Sequence, residues 1–498
     1  MAFAITQTCC ADASCVSVCP VNCIHPTPAE RAFGSTDMLH IDPRTCIDCG
    51  ACADACPTDA IFPVDRLVGP DRQYAAINAD YYAGGEQQAD GWDAPEFPTS
   101  LPSGRPPLDV AIVGSGPAAG YALESLLTTN TRVTLYERLE HPGGLLRYGV
   151  APDHAATRRM ADRFTSHRSN PRVRLRLGVE VGVDVGHAEL RDRHDAVVYA
   201  VGAAADRRLD VPGADLAGSL SARTFVGWYN GHPDVLHDAV DLSADRATVI
   251  GNGNVALDCA RILLTDPDRL AGTDIAPHAL EALRGSRVRN VVVVGRRGPA
   301  GAAYSRGELI PLLDHADFRL VVAGTPGVAA EIRDAAPTSK ASWLSGTQTQ
   351  PVAALAGPPS ERCLTLLFDS VPTRLCAASG TGASGTGAAG GVATARFEHR
   401  DLPAPVDVLT GTVLASIGYR GTPVDGLPFD PVTGTVPHEA GRVIDPTTGA
   451  PVPRTYVTGW IKRGATGGIG ANRACAHETV TTVLEDATAA RRAPLSRT

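Results

Sequence analysis

The hydrophobic positions of this chain change rhythm near residue 108. Beyond that point, short unbroken apolar runs alternate with helical stretches. "LDVAIVGSGPAAGYALESLL" (Leu108–Leu127) reads as an apolar strand, a glycine turn and a helix, and "RVTLYE" (Arg132–Glu137) is the next strand. Further strands are "DAVVYAVGA", "ATVIGNGN", "RNVVVVGRR" and "TGTVLASIGY", with helical stretches between several of them. Strand–helix alternation of this kind predicts doubly wound parallel sheets. Upstream the texture differs. Residues 67–107 are rich in Gly, Pro, Asp and Gln, show little periodicity and read as a linker. The low-complexity stretch "SGTGASGTGAAGG" (Ser379–Gly391) reads as a flexible surface excursion.

The 498 residues give room for about three domains. A formal net charge of −9 disfavours nonspecific nucleic-acid binding. No apolar run approaches the length of a membrane span, and no charged segment followed by an apolar stretch opens the chain. Neither a membrane partner nor a secretory route is expected. Nine of the thirteen cysteines precede residue 57, whereas Cys259, Cys363, Cys376 and Cys475 are scattered. A secreted disulfide protein would rarely confine its cysteines in this way, so the expectation is a cytoplasmic protein with one cluster-binding module.

That module has internal structure. "TCIDCGACADACP" fits C-x2-C-x2-C-x3-C-P through Cys46, Cys49, Cys52, Cys56 and Pro57. The fourth cysteine of such a run ligates the other cluster in a two-cluster ferredoxin. A related run is therefore expected, and sliding the motif back along the chain finds it. Cys46 falls on Cys9, Cys52 on Cys15, Cys56 on Cys19 and Pro57 on Pro20, while Cys49 falls on Asp12. Exchanging the fourth ligands gives Cys46, Cys49, Cys52 and Cys19 as a [4Fe–4S] set. Cys9, Cys15 and Cys56 supply only three thiolates, which suits a [3Fe–4S] cluster. A carboxylate is a harder donor than a thiolate, so Asp12 would hold a fourth iron only weakly, as a labile [4Fe–4S] form. Cys10 and Cys23 are left over. Zinc sites use paired C-x2-C at longer separation, and the doubled run with both Cys-Pro steps favours iron–sulfur.

Two glycine loops follow. In "VGSGPAAG", Gly114 allows the tight turn and Gly116 lets a pyrophosphate approach the backbone at a helix N-terminus. Glu137 ends the next strand, where a carboxylate accepts hydrogen bonds from a ribose and repels a 2′-phosphate. "IGNGNVALDCARILL" repeats the grammar with Gly251, Gly253 and Ala256, but its next strand ends in Arg296 and Arg297. Paired guanidinium groups suit a 2′-phosphate. The first loop is thus read as binding FAD and the second NADP(H). The glycines of "GGLLRYGVAPDH" with Leu145 and Leu146, and the turn "YVTGWIKRGATGGIG" with Trp460, are placed to lie by the flavin.

These residues carry a resemblance. Residues 1–66 are similar to the seven-iron branch of the bacterial two-cluster ferredoxins. Residues 108–498 resemble the adrenodoxin-reductase type of ferredoxin–NADP reductase through "FVGWYNGHP", "GNGNVALD", "GRRGP" and "GWIKRG". The whole chain looks like the fused ferredoxin/ferredoxin–NADP reductases of actinobacteria. The resemblance implies an α+β ferredoxin module (1–66), a linker (67–107), a discontinuous α/β FAD domain (108–206 and 407–498) and an inserted NADP domain (207–406). It implies FAD contacts at Ala119, Glu137, Leu145, Val181, Trp460, Gly467, Gly468 and Ile469. NADP contacts are implied at Asn252, Gly253, Asn254, Val255, Arg296, Arg297 and Glu308. Ala465 stands where the family usually has proline, and Gly468 replaces a β-branched residue.

The order of parts implies transfer of a hydride from NADPH to FAD, then of single electrons to the clusters and on to a redox protein, a ferredoxin or a cytochrome P450-type system. The acidic module, with eight acidic and three basic residues up to position 66, is expected to dock on a basic face of the reductase. His154 is a candidate proton relay. An NADPH-dependent electron-input subunit similar to the glutamate synthase small chain remains an alternative, as does an iron–sulfur scaffold. A flavin disulfide reductase is excluded, because no C-x-x-C lies beyond residue 56.

Overall fold

The computed structural model describes residues 2–83, 101, 106–337, 339–377 and 390–490. All but the last two residues of the expected excursion at Ser379–Gly391, and most of the expected linker's second half, fall outside them. The described residues divide into two compact units. One comprises residues 1–147, 156–205 and 419–498, the other residues 148–155 and 206–418.

In the first unit the cysteine module is held by two small antiparallel ladders, Phe3–Ile5 with Ile61–Pro63 and Ile24–His25 with His40–Ile41. Pairing so short needs support, and it comes from the helix Gln73–Tyr81. Buried Asn78 on that helix accepts from the backbone N–H groups of Ile5 (3.1 Å) and Ile41 (2.8 Å) and donates to the Ile5 carbonyl. One side chain thus satisfies both ladders. Tyr82 adds hydrogen bonds to the carbonyls of His40 and Cys23. The stretch read as linker from residue 67 therefore begins as part of the module. Its weak apolar periodicity hid a helix whose key contact is polar.

The rest of this unit is a seven-stranded sheet in the order 438–439, 442–444, 451–457, 196–199, 109–113, 132–137, 173–177. The last five strands run parallel. The helix Pro117–Leu127 and the C-terminal helix Ala471–Ala490 pack together, with Ala119, Tyr121, Ala122 and Leu126 in one core with Ala476, Val480, Val483 and Leu484.

The second unit has its own parallel seven-stranded sheet, ordered 219–221, 412–415, 246–250, 290–294, 363–367, 319–324, 348–351. A three-stranded antiparallel sheet of 370–377, 392–399 and 406–409 adjoins it. Two boundaries differ from expectation. The strand Thr412–Ala415, assigned by sequence to the FAD domain, pairs in parallel with Ala247–Ile250 in this unit. Residues 148–155 also belong here, because Asp153 and His154 are bound by Arg261.

Candidate cofactor sites

Both glycine loops fold as strand, turn and helix. Gly114 (φ +100°) sits where any side chain would stand 2.5 Å from the Ala200 carbonyl oxygen, and Gly251 (φ +111°) would meet the Ser416 carbonyl at 2.1 Å. Only glycine fits either place, since both the backbone angle and the neighbouring strand forbid a Cβ. Gly116 and Gly253 cap the helices that follow.

Around the first loop, Glu137 is buried and accepts from the Ser115 hydroxyl and from the Leu139 N–H (3.0 Å). Ser115 in turn accepts from the Gly143 N–H at 2.9 Å. A side chain on Gly144 would reach within 2.8 Å of the Gly116 Cα, so the two glycine segments lie backbone against backbone. Such a cradle leaves N–H groups and bare Cα atoms for a flat or anionic ligand, which fits a dinucleotide. Ser115 was missed by sequence reasoning; its position between the two loop glycines was the available signal. Ala119 is fully buried in the core, and Leu145 is exposed. Leu146 is buried in the same core as Ala119. Val181 is half-buried and bridges to Val185. Trp460 donates to the carbonyls of Thr466 (3.0 Å) and Gly467 (3.2 Å) and stacks on Tyr419 with ring centroids 5.7 Å apart. It thereby shapes the Gly464–Gly470 turn. Gly467 and Gly468 are exposed on that turn, and Ile469 packs against the core. Cys475 supports the segment from beneath, accepting from the Gly459 N–H at 3.2 Å.

Around the second loop, the Asn252 side-chain oxygen accepts from the Ala303 N–H (3.4 Å), and its buried Nδ2 has no partner among the described residues. A buried donor without an acceptor is costly, and an added ligand would satisfy it. Asn254 accepts from the Ser305 N–H at 2.8 Å, and Ser305 caps the helix Arg306–Leu313. Val255 is half-buried against the core. Arg296 and Arg297 are exposed, and neither forms an ion pair among the described residues. Two unneutralised guanidinium groups beside a glycine loop fit a phosphate ester.

His154 and Glu308, singled out separately in the sequence, come together in this second unit. His154 Nε2 lies 3.8 Å from both Asp258 and Glu308, and Arg261 reaches His154 (2.9 Å), Asp153 and Asp258. Burial, with Asp258 nearby, pushes the Glu308 carboxyl up to about 7. Arg261 and the two aspartates were missed, although Asp258 and Arg261 stand three apart on the helix opened by the second loop.

The cysteine module presents two pockets. Cys9, Cys15, Cys56 and Asp12 line one; Cys19, Cys46, Cys49 and Cys52 line the other. The chain thus crosses over, each run sending its last cysteine to the other pocket. Cys10 lines the first and Cys23 the second. Cys23 lies with its sulfur 3.5 Å from that of Cys19. Burial pushes the thiols of Cys9 and Cys52 up to about 11, favouring the neutral thiol wherever no cation offsets a thiolate charge. Both oxygens of Asp12 are engaged, one by the Ser14 N–H (3.1 Å) and the other by the Ser14 hydroxyl.

The module meets a basic face in its own unit. Arg473 donates to the Asp12 carbonyl (3.0 Å), Arg163 lies 3.8 Å from the Asp12 carboxylate, and Arg159 pairs with Asp59 at 2.9 Å.

Known proteins share both parts. Residues 108–302 match the family described as pyridine nucleotide-disulphide oxidoreductase, and residues 39–62 match a 4Fe-4S binding domain. A probable ferredoxin/ferredoxin–NADP reductase of Mycobacterium tuberculosis (strain ATCC 25618 / H37Rv) is 47% identical over 500 residues, covering 98% of this chain and 84% of the relative. The NADPH-ferredoxin reductase FprA of the same organism is 43% identical over 404 residues, or 76% of this chain and 84% of its own. The structure of Mycobacterium tuberculosis FprA in complex with NADPH superposes with a TM-score of 0.69 at 39% identity, covering 78% of this chain and 86% of that one. With a cysteine module, two nucleotide loops and this likeness over nearly its full length, the chain belongs to the ferredoxin/ferredoxin–NADP reductase family.

Proposed function

We infer that this chain is an NADPH-dependent ferredoxin–NADP reductase with its ferredoxin built in. Bound FAD would convert a hydride into single electrons, and iron–sulfur clusters would carry them one at a time. The chain's own residues bind and orient. Gly114 and Gly116 clear the backbone for a pyrophosphate, and Glu137, buried and already accepting two hydrogen bonds, is set to receive a ribose hydroxyl. The exposed turn at Gly467 and Gly468, with Ile469 anchoring it, lies against the flavin in this reading, as do Ala119, Leu145, Val181 and Trp460. Asn252, Gly253, Asn254 and Val255 take the pyrophosphate side of NADP, and Arg296 with Arg297 takes the 2′-phosphate. Glu308, its carboxyl raised to about 7, can hold a proton near neutrality 3.8 Å from the His154 ring, whose Nε2 accepts from Arg261.

Cys19, Cys46, Cys49 and Cys52 hold a [4Fe–4S] cluster, and Cys9, Cys15 and Cys56 hold a [3Fe–4S] cluster. The hydrogen bonds that Asp12 accepts from Ser14 compete with iron for the carboxylate, which supports the three-iron form over a labile four-iron one. The observation that carries the reading is the crossed arrangement of two thiol pockets in the compact unit that bears the first glycine loop. The test is a visible and EPR spectrum during stepwise NADPH titration. Flavin bleaching followed by loss of the oxidised three-iron signal is expected; centres that stay oxidised at excess NADPH would refute the reading. Asp12→Cys supplies the missing thiolate and should replace the three-iron signal with a second four-iron one. An unchanged spectrum would reject the ligand assignment.

A further inference from the structure

We propose that the two clusters act in series in a fixed order: the Asp12 pocket is the inner site, loaded from the flavin, and the Cys49 pocket is the outer site, which delivers to the acceptor. The proposal rests on the functional reading above, since it needs a flavin at the Gly464–Gly470 turn and clusters in both pockets.

The order follows from how the module is seated. The Gly470 N–H donates to the Cys10 carbonyl at 3.0 Å. A Cβ on Gly470 would stand 2.2 Å from that carbonyl oxygen and 2.3 Å from the Asp12 nitrogen. Backbone therefore lies directly on backbone, with the turn assigned to the flavin on one side and the loop between Cys9 and Cys15 on the other. Glycine at 470 is what permits the approach. Cys10 packs into the core containing Ala119 and Tyr121, and Arg473 fastens the Asp12 carbonyl. Arg159 holds Asp59, three residues beyond Cys56. These contacts converge on the loops that supply Cys9, Cys15 and Cys56. The other pocket opens elsewhere: Cys49 is exposed, and neighbouring Ile47 is 58% exposed.

Electron transfer slows steeply with separation, so the pocket against the flavin turn receives and the pocket at the surface gives. The balance is one hydride from NADPH, two electrons passed in succession through inner and outer clusters, two acceptor molecules each reduced by one electron, and one proton released. The three-iron site is then an obligatory relay.

Freeze-quench EPR after mixing with NADPH tests this order. In Cys49→Ser, which breaks the outer site, the inner three-iron signal should still disappear at the wild-type rate, while reduction of an added ferredoxin is lost. Survival of the inner signal in the variant is its own check on folding. In Gly470→Ala, compared at equal flavin content, the same decay should slow at least tenfold, because the added methyl pushes the Cys10–Asp12 backbone away. Slowing or arrest of the inner signal in Cys49→Ser, or an unaltered rate in Gly470→Ala, would overturn the order. Protein lacking flavin absorbance or both cluster signals would instead overturn the functional reading itself.

Discussion

The two glycine loops begin alike and end differently. In each, a glycine with φ near +100° or +111° lies under a carbonyl of a neighbouring parallel strand, and a second glycine caps the helix. The divergence comes one strand later. Glu137 is buried and tied into its loop through Ser115, whereas Arg296 and Arg297 are exposed and unpaired among the described residues. A buried, pre-bonded acid suits a cofactor that stays, because the site is ordered before binding. Exposed arginines suit a substrate that comes and goes, because charge draws it in without burial. On the proposed reading, shared geometry sets where the dinucleotide lies, and the residue ending the second strand sets which one and for how long.

The sharpest way to break the shared part is a side chain at the glycines. Gly114→Val and Gly251→Val each add a clash with a fixed strand carbonyl and a forbidden backbone angle, costing upwards of about 4 kcal/mol. Gly114→Val should yield protein without flavin. Gly251→Val should retain flavin absorbance yet lose reduction by NADPH. The measurement is flavin content by absorbance, with NADPH bleaching alongside. Equal flavin loss in both variants would show that the loops do not serve separate dinucleotides.

Charge at the second loop comes next. Each guanidinium–phosphate hydrogen bond set is worth roughly 1.5–3 kcal/mol, so Arg296→Ala with Arg297→Ala should raise the KM for NADPH by at least about 100-fold. The KM for NADH should hardly move and kcat should stay within about twofold, since the lost contact is made equally in ground and transition states. A parallel rise for NADH would mean the arginines do not read the 2′-phosphate.

Much of this was legible from one-dimensional pattern. Apolar runs ending in glycine turns marked both sheets, and the duplicated cysteine spacing sorted seven thiols into the pockets they line, leaving out Cys10 and Cys23, which also line them. What stayed hidden has a common physical cause. The helix Gln73–Tyr81 is held by Asn78, a polar anchor with no apolar periodicity. The Thr412–Ala415 strand looks like any parallel strand, and nothing local says which of two similar sheets it enters. Ser115, Arg163, Arg261 and Arg473 matter through partners far off in sequence, such as Asp12 at 461 positions from Arg473. The unexpected finding is that the basic face for the acidic module consists of a few arginines spread over two helices, too dispersed to form a charge run.

The smallest predicted effect separates the acids of the two units. Glu308, unlike Glu137, lies among Asp153, Asp258, His154 and Arg261, and its carboxyl is raised from 4.5 to about 7. A raised carboxyl means that the folded chain holds a proton the unfolded chain has lost. Stability therefore falls as pH rises from about 4.5 to about 7 and is lowest, for this group, above that window. The full shift would correspond to about 3 kcal/mol, and the side chain's partial exposure to solvent reduces this to about 1–2 kcal/mol. Glu308→Gln removes the titration, so its unfolding temperature relative to wild type should be higher at pH 8 than at pH 5. Because only the second unit carries the group, hydrogen exchange should place the gain in residues 206–418 and leave the strands beside Glu137 unchanged. A variant whose pH slope matches wild type would remove the case for a protonated Glu308 near neutrality, and with it the distinction between a resident acid in one unit and a working acid in the other.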